Sequence, residues 1–339
     1  MFIMEFDLAG AEWVVVAYLS GDKNMIGVVE SGKSPHIVTG SLISGAPEEF
    51  VQAEHEAVGS HTDPDTVQAK RSSLNIPPGI FLPRVMSIRQ AGKKSNHGLN
   101  YNMKYRRFAL ENEMSEADAE PIVNAYVNKA YPGLKLYWES VRLELRQNNR
   151  VLVNCFGRKV RLLKEWGEEL YNQAYSFKPQ STVVDIVNDT MVKCYNNSTP
   201  AFKNMFLGAQ VHDSLQVQCE EPETEQGWHD LAVMCWDITQ YMRKPITYNG
   251  KTFQLGCDAK LGYNWGDTTK FKISQSKVNT IQSIRDALVS CSQMEASAPA
   301  GSEAAVEEAL EKQTQDPQLE QEQPLHPPSE EVSLEMPGF

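Results

Sequence analysis

The sequence predicts a mixed α/β (α+β) fold, in which strands carry two aspartates and a largely helical region lies between them. Asp7 follows the apolar residues 2–6 and precedes the apolar residues 13–19, a pattern typical of a strand followed by a helix. Apolar and polar residues alternate on both sides of Asp213, which predicts a hairpin with this aspartate at its tip. Residues 272–339 are rich in Glu, Gln, Ser, Ala and Pro, which predicts a mostly disordered acidic tail, in which residues 278–289 could form a short amphipathic helix or a frayed one.

Asp7 and Asp213 are candidate metal ligands, because carboxylates near strand ends can hold hard cations such as Mg²⁺ through oxygen atoms. Two such ions, about 3.5–4 Å apart, stabilise the attacking and the leaving oxygen of a phosphoryl transfer. The alternative for each residue taken singly is a turn aspartate, which is the commonest role of Asp.

A basic stripe is predicted on one helix between the two aspartates. Arg89, Lys93, His97 and Tyr101 recur every four residues, so on a helix they form one face roughly 18 Å long. Arg grips a phosphate in a bidentate way, Lys is a point charge and proton donor, and Tyr stacks on a base. A solvated basic face is the alternative, but the order and content of the three stretches together favour nucleotide binding.

These stretches resemble the motifs of family A DNA polymerases. Residues 7–12 resemble motif A, residues 89–101 resemble the Arg-x3-Lys-x3-Phe-x3-Tyr helix of motif B, and residues 211–213 resemble motif C. Residues 131–137 resemble a Tyr-Pro-Gly-Val segment of the same family, and residues 179–186 resemble the helix whose glutamine contacts primer and template.

The resemblance covers roughly residues 4–267 and implies a palm with an antiparallel sheet and a mainly helical fingers subdomain. The palm would comprise residues 1–19 and 171–271, and the fingers would comprise residues 20–170. The implied function is template-directed DNA synthesis by two-metal nucleotidyl transfer from dNTPs to a primer 3′-hydroxyl.

Site roles follow from the resemblance residue by residue. Asp7 and Asp213, with the backbone carbonyl of Leu8, would hold two Mg²⁺ ions. The residues implied at the incoming dNTP are Arg89, Lys93, His97, Tyr101 and Glu12, and those implied at primer-template DNA are Gln180 and His212. Lys93 would also protonate the pyrophosphate leaving group, which makes it a catalytic residue, and Glu12 would exclude a 2′-hydroxyl.

Several positions depart from the family pattern. His97 stands where the family has Phe or Tyr, so discrimination at the 3′ position of the sugar does not carry over. Ser214 replaces a common glutamate after the motif C aspartate, and Gly10 replaces a glutamine. These departures indicate a divergent, phage-type branch whose metal-binding core is retained.

Family A polymerases place a thumb, and usually a 3′–5′ exonuclease, ahead of motif A, whereas motif A begins here at Asp7. We therefore expect a separate chain that carries the thumb and exonuclease, with a truncated reading frame as the alternative. We also expect an exposed sheet edge, because the strands that would flank the Asp7 strand are absent. The second candidate function is a noncatalytic or truncated polymerase-like subunit that binds nucleic acid.

Composition narrows the class of protein further. Six cysteines without a Cys-x-x-Cys pair argue against a zinc ribbon and fit a reducing cytosol, such as that of a bacterial host. No run reaches the ~20 apolar residues of a membrane span, so no membrane partner is expected. The net charge is −12, but residues 272–339 hold 4 basic and 12 acidic side chains, which leaves room for a locally positive, DNA-binding cleft elsewhere.

Overall fold

The computed structural model describes residues 1–60 and 63–297. Within them the α-helices, in chain order, are α1 (Ala11–Ser20), α2 (Lys23–Ser31), α3 (Pro35–Ser44), α4 (Glu48–Val58), α5 (Pro64–Arg71), α6 (Ile88–Gly98), α7 (Tyr105–Glu111), α8 (Glu116–Ala125), α9 (Gly133–Gln147), α10 (Glu168–Asn196), α11 (Glu225–Met242) and α12 (Lys277–Ser297). The strands there are β1 (Phe2–Ala9), β2 (Val151–Val153), β3 (Lys159–Arg161), β4 (Met205–Val211), β5 (Ser214–Cys219), β6 (Ile246–Tyr248), β7 (Lys251–Phe253), β8 (Gly256–Gly262) and β9 (Thr269–Phe271).

A five-stranded antiparallel sheet carries both aspartates. Its strand order is β4-β5-β1-β8-β9, so β1 lies at the centre with β5 on one side and β8 on the other. The predicted exposed edge beside the Asp7 strand is therefore wrong, because β8 returns from the far end of the chain to pair with β1. The hairpin predicted around Asp213 is confirmed as β4 and β5.

Alternation along β1 separates an apolar face from a polar face. Its four even-numbered side chains are fully buried, and one of them, Met4, lies 3.7 Å (Sδ to Sγ) from Cys235 of α11. Glu5 and Asp7 lie on the opposite, half-buried face, where Lys260 pairs with Glu5 at 3.1 Å. The two-residue period of the strand thus anchors β1 in the core and presents Asp7 on the other side.

Helices α3 and α6 cross at a pair of glycines. A Cβ on Gly92 would lie 2.4 Å from the carbonyl oxygen of His36 and 2.7 Å from the amide nitrogen of Gly40. A Cβ on Gly40 would in turn lie 2.9 Å from the carbonyl oxygen of Ile88. Only glycine fits at these positions, so the two helices meet backbone to backbone and α3 fixes the place of the predicted basic helix.

Helix α12 lies within residues 272–339, which were predicted to form a tail, yet it packs against the rest of the fold. Leu288 and Cys291 are buried, and the thiol of Cys291 donates to the carbonyl oxygen of Leu261 in β8 at 3.4 Å. The predicted tail therefore begins too early, because apolar residues at helical spacing bury one face of this polar segment.

The chain divides into two units, Met1–Cys291 and Ser292–Phe339. The first contains the sheet and helices α1 to α11. Of the second, only residues 292–297 at the end of α12 are described. Residues 298–339, on which most of the predicted disorder falls, lie outside the described residues. Among the described helices, none combines the length and hydropathy that a membrane span requires.

We expect Gly92→Ala to destabilise the fold by roughly 1–3 kcal/mol, because the added methyl group meets rigid backbone and forces α3 and α6 apart. A glycine-to-alanine change inside a helix otherwise stabilises it by up to about 1 kcal/mol. Gly27→Ala in α2 is the matched control, since no described atom lies within 4 Å of the point that its methyl group would occupy. Urea unfolding of both variants measures the difference, and equal stabilities would contradict the crossing.

Candidate active site

The register of β1 against β5 sets the two aspartates side by side. Asp7 pairs with Ser214, and the amide of Leu8 donates to the carbonyl oxygen of Asp213 at 3.2 Å. His212 has a φ of 54°, the left-handed backbone that a tight hairpin turn uses.

The electrostatics of this pair suit a divalent cation. Burial and the negative charges of Asp213 and Glu5 together raise the pKa of Asp7 to about 6, with Lys260 opposing them. A cation between the carboxylates would relieve this repulsion. Mg²⁺ commonly takes one or two protein carboxylates and completes its shell with water and substrate phosphates, so two aspartates fit it. Across residues 1–60 and 63–297 there is no group of three or more His, Cys, Asp or Glu that could hold a metal.

A cleft of about 460 Å³ opens over the two aspartates. Its walls include Glu12, His97 and His212, which the sequence predicted as site residues. They also include His36 of α3 and Asn96 of α6, which it did not. The cleft therefore joins one end of the sheet to helices α1, α3 and α6.

Glu12 is held from two sides at this cleft. The hydroxyl of Tyr101 donates to its Oε2 at 2.5 Å, and the amide nitrogen of Gln180 donates to the same oxygen at 3.4 Å. The predicted four-member stripe is wrong at its last member, because α6 ends at Gly98 and Tyr101 lies in a 3₁₀ turn. The tighter turn directs Tyr101 toward the interior, where burial and the nearby Glu12 raise the pKa of its hydroxyl well above the ordinary value.

The other three members of the stripe lie along α6 as predicted. Arg89 is half-buried and donates from Nη1 to Nε2 of His55 at 3.1 Å. Lys93 and His97 are exposed and border a second cavity of about 320 Å³, and His97 also lines the aspartate cleft. Within the described part of the chain Lys93 has no ion-pair partner.

His36 is a site residue that sequence reasoning missed. Its ring centroid lies 6.2 Å from that of His97, and Asn96 places its Nδ2 3.3 Å from the Nδ1 of His36. Burial, together with the positive charges of Arg89, His97 and Lys93, lowers the pKa of His36 to about 4. The ring is therefore neutral at pH 7. His36 and Asn96 are 60 positions apart in the sequence, so no local pattern could have revealed the contact.

A buried polar network fixes Asn96 in turn. The hydroxyl of Thr39 donates to Oδ1 of Asn96 at 2.9 Å and lies 2.6 Å from the hydroxyl of Tyr131. Nδ2 of Asn96 also donates to the carbonyl oxygen of Pro35 at 3.3 Å. Because each of these groups is satisfied by another in the network, the cleft-facing ends of α3 and α6 are held in one arrangement.

Comparison with known proteins identifies the family. Residues 84–267, slightly more than half of the chain, match the sequence profile of DNA polymerase family A. The chain belongs to this family. The thermostable DNA polymerases I of Thermus thermophilus and Thermus aquaticus are each 25% identical to it, over 233 and 232 residues. These matches cover 66% of this chain and 23% of each relative, so the chain spans about a quarter of their length.

A solved family A structure shares the fold. The polymerase domain of Pol1 from M. smegmatis, in complex with DNA primer-template and dNTP, matches with a TM-score of 0.55 at 18% identity. The match covers 78% of this chain and 39% of that one. The predicted combination of helices with an antiparallel sheet is thus confirmed.

We expect Asp7→Asn to stabilise the metal-free protein at pH 7.5 by about 1 kcal/mol, since the partly solvated charge that it removes is screened by water. The folded-state pKa of about 6 lies above the ordinary value, so the folded chain binds more protons than the unfolded chain between these values. The contribution of Asp7 to the stability of the unmodified protein therefore falls as pH rises from about 4 to about 6, and the gain from Asp7→Asn appears over that window.

Urea unfolding at pH 4 and 7.5 without divalent ions measures this gain, with the exposed Asp65→Asn as control. An equal gain at both pH values would contradict the burial cost assigned to Asp7.

Proposed function

We propose that this family A chain carries out template-directed DNA synthesis, transferring nucleotides from dNTPs to a primer 3′-hydroxyl. The observation that carries the proposal is the β1–β5 register, which sets Asp7 beside Asp213 in a cleft bordered by the basic helix α6. Family membership supports the reaction class.

Asp7, Asp213 and the carbonyl of Leu8 would hold two Mg²⁺ ions. Bound there, the metal supplies Lewis-acid stabilisation to the attacking and leaving oxygens of the transfer. The remaining contribution of the protein is positioning and electrostatic stabilisation, with no covalent intermediate on the chain.

Helix α6 would bind the triphosphate of the incoming dNTP. Arg89 offers a planar guanidinium for bidentate contact, and the unpaired Lys93 offers a point charge and a proton for the pyrophosphate leaving group. His36 would offer the triphosphate a neutral hydrogen-bond donor at Nε2. Its Nδ1 accepts from Asn96, so the proton of the ring resides on Nε2. His97 would lie beside the sugar, on the same wall of the cleft.

Glu12 would set the preference for deoxyribonucleotides. Its carboxylate is fixed by Tyr101 and Gln180 and lines the cleft, so it can occupy the space that a 2′-hydroxyl needs. His212, exposed at the hairpin tip, and Gln180 would contact the primer-template duplex.

We further propose that efficient synthesis needs polypeptide outside these 339 residues, in particular a thumb that holds the duplex. The support is length, since the chain matches only 23% of the Thermus enzymes. A separate chain carrying a thumb and exonuclease would supply this part.

Primer extension tests the proposed function directly. A templated duplex, Mg²⁺ and four dNTPs are supplied to this chain, alone and with a thumb-bearing polymerase fragment. We expect extension with the fragment present, and its loss in Asp213→Asn with duplex binding retained. No extension by an assembled complex, or full activity in Asp213→Asn, would overturn the proposal and favour a noncatalytic DNA-binding subunit.

Lys93→Ala should lower the rate of single-turnover incorporation by roughly 10²- to 10⁴-fold, the usual contribution of a general acid. Lys70→Ala is the matched control, because Lys70 is exposed on α5 and its Nζ donates to the carbonyl oxygen of Ala57. Rapid-quench assays with saturating dNTP measure both. Near-normal turnover in Lys93→Ala would remove the acid role from this residue.

Glu12→Ala should raise ribonucleotide use relative to deoxyribonucleotide use by about 10- to 100-fold, because it opens the space beside the sugar. Glu12→Gln keeps the shape and should retain most of the selectivity. Tyr101→Phe removes one of the two contacts that fix Glu12 and should give an intermediate value. The ratio of kcat/KM for each sugar is the measurement, and unchanged ratios in all three variants would contradict the role of Glu12.

A further inference from the structure

Helix α4 holds the first turn of the basic helix through a buried ion pair. Oε2 of Glu54 accepts from the amide of Ile88 at 2.9 Å, and its Oε1 accepts from Arg71 of α5 at 2.6 Å. Arg71 also donates to the carbonyl oxygens of Pro83 and Met86. The backbone where α6 begins is therefore fixed from α4 and α5.

The next residue of α4, His55, uses one ring nitrogen to contact the N-cap residue of α6 and the other to contact Arg89 within α6. Nδ1 lies 3.0 Å from the hydroxyl oxygen of Ser87, the residue whose side chain caps α6 by accepting from the amide of Gln90. Nε2 lies 3.1 Å from Nη1 of Arg89. An arginine side chain can only donate, so Nε2 accepts and the proton of the ring resides on Nδ1, which donates to Ser87.

The charges around His55 agree with a neutral ring. Burial lowers its pKa, and the positive charge of Arg89 on α6 lowers it further. Glu54 and Glu56 on α4, together with a hydrogen bond involving the backbone of Gly59, oppose these effects. The ring is thus an acceptor for Arg89 at neutral pH.

We propose that His55 is a positioning residue for Arg89, which it orients before the triphosphate arrives. This proposal rests on the proposed function, in which Arg89 grips the triphosphate of the dNTP. An arginine side chain loses much rotamer freedom when it binds a ligand, and a contact made beforehand reduces that loss. The guanidinium has five N–H donors, so one bond to His55 leaves donors free for phosphate.

The two ring nitrogens of His55 have different roles, one structural and one functional. The contact with Ser87 joins α4 to the cap of α6, whereas the contact with Arg89 reaches the side chain that would grip the triphosphate. A purely structural His55 would affect stability and all ligands alike. A positioning His55 affects binding of the triphosphate and leaves duplex binding unchanged.

Two conservative variants separate these roles. The amide of Gln reaches the place of Nε2, so His55→Gln keeps an acceptor for Arg89, whereas the shorter Asn reaches only the place of Nδ1. We expect His55→Asn to raise the KM for dNTP about 3- to 10-fold with kcat within twofold and an unchanged Kd for primer-template. His55→Gln should stay within twofold of the unmodified chain, as should the exposed control Gln52→Ala on the same helix. The proposal would be overturned by an unchanged KM for dNTP in His55→Asn, or by an equal rise in this KM in His55→Asn and His55→Gln.

A double-mutant cycle tests whether the effect acts through Arg89. In an Arg89→Ala background, His55→Asn should cause no further rise in KM, because there is no guanidinium left to orient. Independent, additive effects would overturn the proposal.

A final measurement uses the unmodified chain, so it requires neither enzymatic activity nor a correctly folded variant. ¹⁵N NMR of the unliganded chain at pH 7 should show the ring of His55 protonated on Nδ1 alone. A ring protonated on Nε2 would overturn the contact with Arg89. Failure of primer extension in the unmodified chain, with this ring state observed, would instead count against the proposed function.

Discussion

The pairing of β1 with β5 is the constraint on which the active site depends. Because side chains alternate along a strand, a slip of one residue would turn Asp7 into the core and expose Phe6 or Leu8. Each of the four buried side chains of β1 contributes about 1.5–3 kcal/mol of burial free energy, and a slip would forfeit it. The hydrophobic core thus fixes the position of the Asp7 carboxylate, and the backbone hydrogen bond from Leu8 to Asp213 holds the carboxylate of Asp213 next to it.

The charged side chains near the cleft come from two elements. On the sheet, Glu5 and Asp258 pair with Lys260 and Lys270, and Asp7 lies beside Asp213. Helix α6 carries Arg89 and Lys93 and contributes Asn96 and His97 to the wall of the cleft. Under the proposed function, a metal-bound nucleoside triphosphate would bring divalent cations to the carboxylates and phosphates to the cations of α6.

Local pattern predicted the parts of the site that lie within one element. The hairpin of Asp213 and the stripe from Arg89 to His97 depend on alternation and on helical period, and the structure has both. Contacts made between distant elements were not predictable in this way. The pairing of β8 with β1, and the approach of His36 to Asn96, join residues that share no local pattern.

Two further errors have local causes. Tyr101 left the stripe because α6 ends at Gly98 and is followed by a 3₁₀ turn. The tail was predicted to begin too early because the apolar spacing of residues 278–289 indicates a helix but does not show that the helix packs on the fold, as the buried Leu288 and Cys291 of α12 do.

The glycine crossing of α3 and α6 has a consequence for motion. Two helices whose backbones touch, with Gly92 against Gly40, have no side-chain layer between them that could slide or repack. We expect any widening or narrowing of the cleft to carry both helices together as one rigid body. His36 and His97 would then keep their spacing throughout a catalytic cycle, while their distance from the sheet changes.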